Sequence, residues 1–271
     1  MTWRQPGWRG LAGGVAGLAA GFMLLPVVAL ILAVHPVELY RKLADPMVRQ
    51  ALGLSIVTSA ASALIVIIAG LPVAWWLASG RSRLTRWFEA LLVMPLVLPP
   101  TVAGLGLLLA FGRAGILGKG ISALGLSIPF TPLAVIIAQV FVGFPYFALA
   151  GAAGLRRIDA QLLEVGATLG HGAFAVFRRI ALPLAAPSLL AGAVMAWARG
   201  LGEFGATITF AGNLPGKTQT LPLAVYAALQ QDLDAALAVA VLLLAISAGV
   251  LIAVRAWIPV SLGTHARRPA P

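Results

Sequence analysis

Six long apolar stretches leave this chain with few ways to fold in water. A helix that crosses a bilayer needs about 20 mostly apolar residues. Six segments have that length: roughly Leu11–Val34, Ala51–Ala78, Ala90–Phe111, Thr131–Leu155, Ala186–Phe210 and Asp234–Trp257. Only 10% of the residues are charged, whereas a soluble domain carries about 25%. The sequence therefore predicts an all-α integral membrane protein with six transmembrane helices, in a single domain over residues 1–271.

The first stretch follows Arg4 and Arg9, a pattern with which a cleaved signal peptide also begins. The apolar region of a signal peptide is only about 7–15 residues long and ends at a small-x-small cleavage site. The stretch here is longer and has no convincing site of that kind at its end. We therefore expect it to be a membrane span.

The positive charges indicate how the spans are oriented. Six spans place both termini on one side, and twelve of the 19 Lys and Arg residues fall on that side, with Arg199 inside the fifth span. The opposite side carries Arg41, Lys42, Arg49, Arg113, Lys119 and Lys217. Because an excess of Lys and Arg marks the cytoplasmic face, we expect both termini to be cytoplasmic. The net charge of +11 then reflects membrane topology and a lipid bilayer partner rather than a nucleic acid.

Polar and proline residues inside the spans indicate where helices meet. Hydroxyl residues from Ser55 to Ser62 favour close packing of the second span. The third span contains Pro95, Pro99 and Pro100, followed by Thr101. Prolines bend or break a helix, and irregular backbone at membrane depth occurs only inside protein or along a cavity. Thr101 is therefore a candidate pathway or gate residue, with a simple helix kink as the alternative.

Arg199 and Glu203 are the charged residues deep within a predicted span. Charges inside a membrane are costly and are functional candidates by default. Residues four apart share one face of a helix and can pair. Two interpretations stay open: a pair that pins two helices together, or a pathway or gate element in which Arg199 offers its charge to an anion.

Between the last two spans, residues 221–230 are apolar enough for a short interfacial or re-entrant helix.

Enzymatic chemistry has little support in this sequence. There is no Cys, and the three His residues are far apart, so a metal centre is not expected. Gly200–Gly205 fits the G-x-G-x-x-G pattern, and Gly216-Lys217-Thr218 resembles the end of a phosphate loop. Both lack the strand and helix context that gives such motifs meaning. We expect no catalytic residue, no metal and no cofactor bound by this chain.

The loop between the fourth and fifth spans, residues 156–183, is unusually long and polar. Asp159 is placed to cap a helix that begins near Ala160. Gly170 is placed to end that helix in a left-handed turn. A second short helix over residues 173–180 would stop at Pro183. Ile158, Leu162, Val165 and Leu169 recur at helical spacing and predict one apolar stripe. The hairpin either rests on lipid or inserts into the groove of a partner.

This loop resembles the cytoplasmic motif of ABC importer permeases: E-A-A, three residues, G, nine residues, I-x-L-P. Glu164, Gly170, Ile180, Leu182 and Pro183 match it at the right spacing, while Val165 and Gly166 replace the two alanines before Ala167. Residues 198–213 and 215–226 resemble the molybdate permeases most, and the sulfate permeases less closely. The resemblance covers about residues 50–255.

The resemblance implies a type I ABC importer permease fold and a mechanism. Two copies of the chain would form a homodimer beside two P-loop ATPase subunits, which bind ATP and Mg²⁺. An extracytoplasmic binding protein would deliver molybdate or tungstate, and the loop would be the coupling helix that docks on the ATPase. The implied location is the inner (cytoplasmic) membrane of a bacterium or archaeon.

Three other functions are alternatives. A sulfate or thiosulfate permease belongs to the same class with another oxyanion. A secondary anion transporter would show inverted repeats or buried proton-relay acids, and Glu203 alone is of that kind. An intramembrane enzyme would need a nucleophile with a base or a metal set, which no span supplies.

Overall fold

The structure, a computed structural model, describes residues 6–80 and 82–257. Every regular element in these residues is helical, as predicted. The elements are α1 (Pro6–Ala33), α2 (Pro36–Ala44), α3 (Pro46–Ser79), α4 (Arg83–Val97), α5 (Pro100–Phe111), α6 (Gly118–Ala123), α7 (Pro132–Arg156), α8 (Ala160–Thr168), α9 (Ala173–Val176), a π-helical segment (Phe177–Ala181), α10 (Leu182–Leu201), α11 (Gly205–Ala211), α12 (Leu221–Leu229) and α13 (Leu233–Trp257).

Five continuous helical stretches among these residues are long and apolar enough to cross a membrane. They are α1, α3, α7, the stretch Ala173–Leu201 and α13. The pair α4 and α5 also passes on length and composition, but its second helix is bent by 115° from the direction of the first. The pair is either one broken span, which gives the six spans predicted from the sequence, or a re-entrant loop, which leaves five.

The core of the bundle is the packing of α3, α7 and α10 against one another. Small residues let these helices approach closely. A methyl group added at Gly70 of α3 would lie 2.6 Å from the ring of Phe147 in α7. The buried cluster extends along all three helices and includes Val66, Phe147, Leu155, Ala181, Ala185 and Leu189. The cluster ends beside the loop that connects α7 to α10, so that loop rests on the packed core of the bundle.

The hydroxyl residues of α3 lie where the sequence predicts helix contacts. Ser55, Ser59 and Ser62 are all buried. The Ser59 hydroxyl accepts a hydrogen bond from the indole Nε1 of Trp197 in α10 at 3.2 Å. The Ser55 hydroxyl accepts from the backbone N–H of Leu221 at 2.7 Å. These bonds tie α10 and the start of α12 to α3, so the predicted bonding across helix interfaces is confirmed.

The prediction that Pro183 ends a separate helix is wrong. The chain stays helical from Ala173 to Leu201, with Pro183 in the first turn of α10. A proline ring normally clashes with the carbonyl of the preceding turn. Here the preceding turn is the wider π-helical segment, in which the N–H of Leu182 reaches the carbonyl of Phe177. The added residue in that turn accommodates the ring.

The fifth span also differs from its predicted limits of roughly 186–210. It begins earlier, at Ala173, and ends at Leu201. Gly202–Phe204 interrupt the helix, and α11 follows as a separate short helix. The end of the predicted span is therefore a break in the backbone, and Glu203 lies within that break.

The proline-rich third span is broken rather than merely kinked. Helix α4 continues through Pro95, and the break comes at Leu98 and Pro99. Both residues precede a proline, which disfavours the helical conformation, and their ψ angles are 132° and 134°. The dipeptide Pro99-Pro100 thus creates two extended residues in a row and separates α4 from α5.

The short helix predicted over residues 221–230 is present as α12. Leu221 and Leu223 are fully buried, and α12 packs against α13 and α3. The sequence did not indicate α2 or α6, which are short and lie in loops between spans. Helix α1 is present as predicted, and none of its most apolar window is buried in the single chain.

Candidate functional site

The loop between α7 and α10 forms a helical hairpin, and its first helix, α8, is capped at both ends as predicted. The carboxylate of Asp159 accepts a hydrogen bond from the backbone N–H of Gln161 at 3.0 Å, which begins α8. Gly170 has φ +82°. The N–H of Gly170 donates to the carbonyl of Ala167, and the N–H of His171 donates to the carbonyl of Gly166. This pair of bonds is a Schellman motif, which reverses the chain after α8.

Gly166 and Ile180, two positions of the motif, meet inside the hairpin. Gly166 is buried, and a methyl group added there would lie 2.6 Å from Cδ1 of Ile180 and 3.3 Å from Cγ2 of Val176. Glycine at this position lets α8 lie close to the π-helical segment. The motif of the resembling permeases has alanine at this position. The tight packing here explains why glycine takes its place in this chain.

The hairpin is attached to the bundle through its inner face. Ile158, Leu163 and Phe177 pack on the core cluster of α3, α7 and α10. The ring of Phe177 meets the edge of Trp75 in α3, with centroids 4.8 Å apart. Leu182 also packs on this cluster. The hairpin is therefore in direct contact with the ends of these three helices.

The outer face of the hairpin is apolar and uncovered. Leu162, Val165 and Leu169 are 50%, 56% and 73% exposed, and Phe174 is 74% exposed. The predicted stripe is thus divided, because Ile158 packs inward while the other three members face away from the bundle. Ala167 and Pro183 are exposed as well. This face has the chemistry of a contact surface rather than of a solvated loop.

Glu164 lies on the exposed part of α8. The ion pairs of the described residues are Arg41–Glu38, Lys42–Asp232, Arg156–Glu89 and Arg199–Glu203, and Glu164 belongs to none of them. A role for Glu164 in holding the hairpin together is therefore not supported by a contact within this part of the chain. Its carboxylate is open to a partner.

Arg199 and Glu203 form the predicted pair at the break between α10 and α11. Nη1 of Arg199 lies 2.5 Å from Oε2 of Glu203, and Oε1 of Glu203 accepts from the N–H of Ala206 at 2.7 Å. The Arg199 side chain is 30% exposed, whereas that of Glu203 is 1% exposed. The buried carboxylate thus joins the end of α10 to the start of α11.

Thr101 lies near this pair because α5 packs tightly on α11. A methyl group added at Gly205 would lie 2.6 Å from Cβ of Pro100 and 3.1 Å from the backbone N of Thr101. One added at Gly104 would lie 2.7 Å from the carbonyl oxygen of Ala206. The structure therefore brings the break after α4 and the break after α10 to the same place.

Arg156 and Glu89 form a polar contact that the sequence did not reveal. Nη1 and Nη2 of Arg156 donate to Oε1 and Oε2 of Glu89 at 3.0 and 2.8 Å. Nη2 also donates to the carbonyl of Leu77 at 3.0 Å. The two side chains are 67 positions apart, so no helical periodicity links them. The sequence offered one clue to this contact. The chain has only eight acidic residues, so each of them was a candidate partner for an arginine.

The motif and fold agree with a comparison to known protein families. Residues 67–259, more than two thirds of the chain, match the profile of the binding-protein-dependent transport system inner membrane component. The chain belongs to this family. The matched range includes the hairpin, both breaks and the Arg156–Glu89 contact. Members of the family are transport components of the inner membrane.

Named relatives of this family cover nearly the whole chain. The "Molybdenum transport system permease protein ModB" of Mycobacterium tuberculosis is 41% identical over 251 residues, 93% of this chain and 94% of the relative. The "Probable molybdenum ABC transporter permease protein" of Haloferax volcanii is 36% identical over 261 residues, 95% of this chain and 91% of the relative.

Solved transporters share the fold at low sequence identity. A chain of a bacterial ABC transporter involved in the import of alginate superposes with a TM-score of 0.74 and 13% identity, over 92% of this chain and 94% of that one. A chain of the inward-facing MetNI methionine ABC transporter gives 0.61 and 20% identity, over 78% and 95%. The architecture is therefore that of an ABC transporter permease.

Proposed function

We propose that this chain is the permease subunit of an ATP-driven importer that moves molybdate, or the similar tungstate, across the inner membrane. The exposed apolar face of the hairpin carries this proposal, because it lies within the motif that resembles the coupling loop of ABC importer permeases. The choice of oxyanion is supported by the molybdenum permeases that are 41% and 36% identical over most of their length. Both relatives are named for molybdenum and not for sulfate, and the fold of an importer permease does not favour a secondary transporter.

The hairpin is the proposed docking site for a separate P-loop ATPase subunit. Leu162, Val165, Leu169 and Phe174 offer about one helix face of apolar surface, which suits insertion into a groove. Two ATPase subunits would bind ATP and Mg²⁺, close on ATP and open after hydrolysis. Since the inner face of the hairpin packs on α3, α7 and α10, each closure would move these helices.

Two copies of the chain would form the translocation pathway. The whole apolar window of α1 lies on the surface of the single chain, which leaves it available to lipid and to a second copy. An extracytoplasmic binding protein would supply most of the substrate selectivity. The sparse polar inventory of the spans agrees with a pathway that does not hold its anion tightly.

The neighbourhood of Arg199, Glu203 and Thr101 is the proposed gate. The two backbone breaks meet there, and irregular backbone at membrane depth is expected only beside a cavity or inside protein. The partly exposed guanidinium of Arg199 provides a positive charge for a passing oxyanion, while the buried carboxylate of Glu203 holds it in place.

Reconstitution tests the function directly. The chain is assembled in liposomes with the ATPase subunit and the binding protein encoded beside it, and ATP hydrolysis is measured with molybdate, tungstate or sulfate. Stimulation by molybdate or tungstate at concentrations where sulfate is inert is the expected result. Stimulation by sulfate alone would assign the chain to the sulfate permeases, and transport without an ATPase subunit would contradict the proposal altogether.

A further inference from the structure

Three helices converge on the guanidinium group of Arg156. Arg156 is the last residue of α7, Glu89 lies in α4, and Leu77 lies in the last turn of α3. The two nitrogens donate to both oxygens of Glu89, and one of them also donates to the carbonyl of Leu77. That carbonyl is one of the last four of α3, which have no partner within their own helix. The contact thus joins the ends of three helices.

The geometry of this contact constrains the relative orientation of the helices that carry Arg156 and Glu89, in addition to holding them close together. An isolated surface ion pair contributes only about 0–1 kcal/mol, and the side chains of Arg156 and Glu89 are 41% and 32% exposed. A planar guanidinium that binds both carboxylate oxygens, however, fixes the relative direction of its partners. A lysine could not do so, because its ammonium group is a point charge.

Helix α4 has few other attachments near this end. Thr85 and Leu92 are its buried residues, and Leu92 packs in a small cluster with Leu77, Ala148 and Ala152. Phe88 adds an edge contact with Trp76, with centroids 5.2 Å apart. Among the residues that the structure describes, the Arg156–Glu89 pair adds a polar attachment between α4 and the α3–α7 core to these apolar contacts.

The two sides of the pair lead to the two functional regions. On one side, Arg157, Ile158 and Asp159 connect Arg156 directly to α8, the first helix of the hairpin. On the other, α4 runs from Glu89 to the break at Leu98–Pro99 and on to α5. Helix α5 in turn packs on α11 through Gly104 and Pro100. The contact thus belongs to a route from the hairpin to the proposed gate through α4 and α5, beside the direct route through α10.

We propose that Arg156 and Glu89 are positioning residues that transmit movement of the hairpin to α4 and, through α4, to the gate. The inference rests on the proposed function, since it assumes that an ATPase moves the hairpin. When the hairpin is displaced, Arg156 moves with the end of α7, and the bidentate contact carries α4 in the same direction. Without the contact, the hairpin moves while α4 stays behind, so ATP is hydrolysed with less transport.

The test is the number of molybdate ions transported per ATP in the reconstituted complex. Glu89→Gln and Arg156→Gln are each expected to lower that ratio by at least about fivefold, the lower end of usual coupling between sites. ATPase-subunit binding is expected to persist, and the melting temperature of the complex to change by less than about 2 °C. Arg86→Gln is the matched control, because Arg86 is an exposed cation on the same helix, outside the ion pairs of the described residues.

Exchanging the two charged residues distinguishes a role in transmitting movement from a general effect of removing a charge. The double variant Glu89→Arg with Arg156→Glu is expected to recover part of the lost ratio, because it restores the ion pair but loses the hydrogen bond to the carbonyl of Leu77. The inference is overturned if either single variant keeps the wild-type number of molybdate ions transported per ATP. It is also overturned if that number falls only together with the melting temperature or ATPase-subunit binding, or if the exchange recovers nothing. Absence of molybdate-stimulated hydrolysis in the wild-type complex would instead contradict the proposed function.

Discussion

At the scale of single residues, the two partners of the Arg199–Glu203 pair are not equivalent. The carboxylate is almost completely buried, whereas the guanidinium is partly exposed. Removal of one partner from a buried pair costs about 3–5 kcal/mol, because the other charge is left uncompensated. That cost falls on the group that cannot reach water. Loss of the arginine is therefore more harmful to the fold than loss of the glutamate.

This asymmetry gives a prediction for two variants. Arg199→Gln leaves the buried Glu203 carboxylate without its cation and is expected to lower the melting temperature more than Glu203→Gln, whose amide oxygen still accepts from Ala206. If Arg199 serves the pathway, Arg199→Gln also impairs transport per assembled complex. Thermal unfolding and transport by the purified complexes check both parts. Normal assembly and transport by Arg199→Gln would remove the pathway role.

The turn of the hairpin depends on a single positive φ angle. Gly170 has φ +82°, and a Cβ atom added there would have no other atom within 4 Å. A larger residue therefore meets no steric clash, and only the backbone strain counts. Left-handed backbone costs an ordinary residue about 1–2 kcal/mol, and asparagine less than alanine.

We therefore expect Gly170→Ala to reduce transport-coupled ATP hydrolysis, with Gly170→Asn affected less. Glu164→Ala is expected to reduce it as well, because the exposed carboxylate is available to the ATPase subunit. Membrane insertion should be unchanged in all three variants, as judged by the amount in the membrane fraction. Wild-type coupling in both Gly170→Ala and Glu164→Ala would exclude a coupling role for these residues.

At the scale of elements, the angle between α4 and α5 comes from two adjacent prolines. Leu98 and Pro99 are extended because each precedes a proline. Pro95, in contrast, lies inside α4 without ending it. The break is thus a local consequence of the dipeptide, and the bend of 115° places α5 where it packs on α11.

Replacement of Pro99 and Pro100 by alanine should let the helix continue and so reduce the bend between α4 and α5. The chain has no Cys, so pairs of spin labels can be attached to introduced cysteines at Leu91 and Leu109. We expect the distance between these labels to increase and transport to fall, with Pro95→Ala as the control that changes neither. An unchanged distance would mean that tertiary packing alone holds the bend.

At the scale of the whole molecule, the charges of the loops predict the orientation in the membrane. The expected topology places Arg86 in the cytoplasm and Lys119 outside, and both residues are exposed. In the Cys-free background, Lys119→Cys should react with a membrane-impermeant maleimide in intact cells. Arg86→Cys should react only after the membrane is opened. The reverse pattern would contradict the predicted orientation of the termini.

Much of this molecule can be predicted from its sequence because the relevant forces are local. The length of each apolar stretch determines that it is a helix suited to a bilayer. Asp159 and Gly170 determine where α8 begins and ends, since a cap and a left-handed turn involve neighbouring residues. The pairing of Arg199 with Glu203 follows from a spacing of four.

Tertiary structure alone decided the features that join distant parts of the chain. Arg156 meets Glu89 across 67 positions, and the two backbone breaks come together only because α5 packs on α11. Pro183 is tolerated within a helix because a π-helical turn precedes it. The residues next to Pro183 in the sequence do not predict that distortion. The sequence by itself determined the approximate positions of the spans and the turn of the hairpin, because local preferences suffice for them, but not the limits of the fifth span or the continuous helix through Pro183. The connection between hairpin and gate depends on which helices touch, and only packing of the whole bundle decides that.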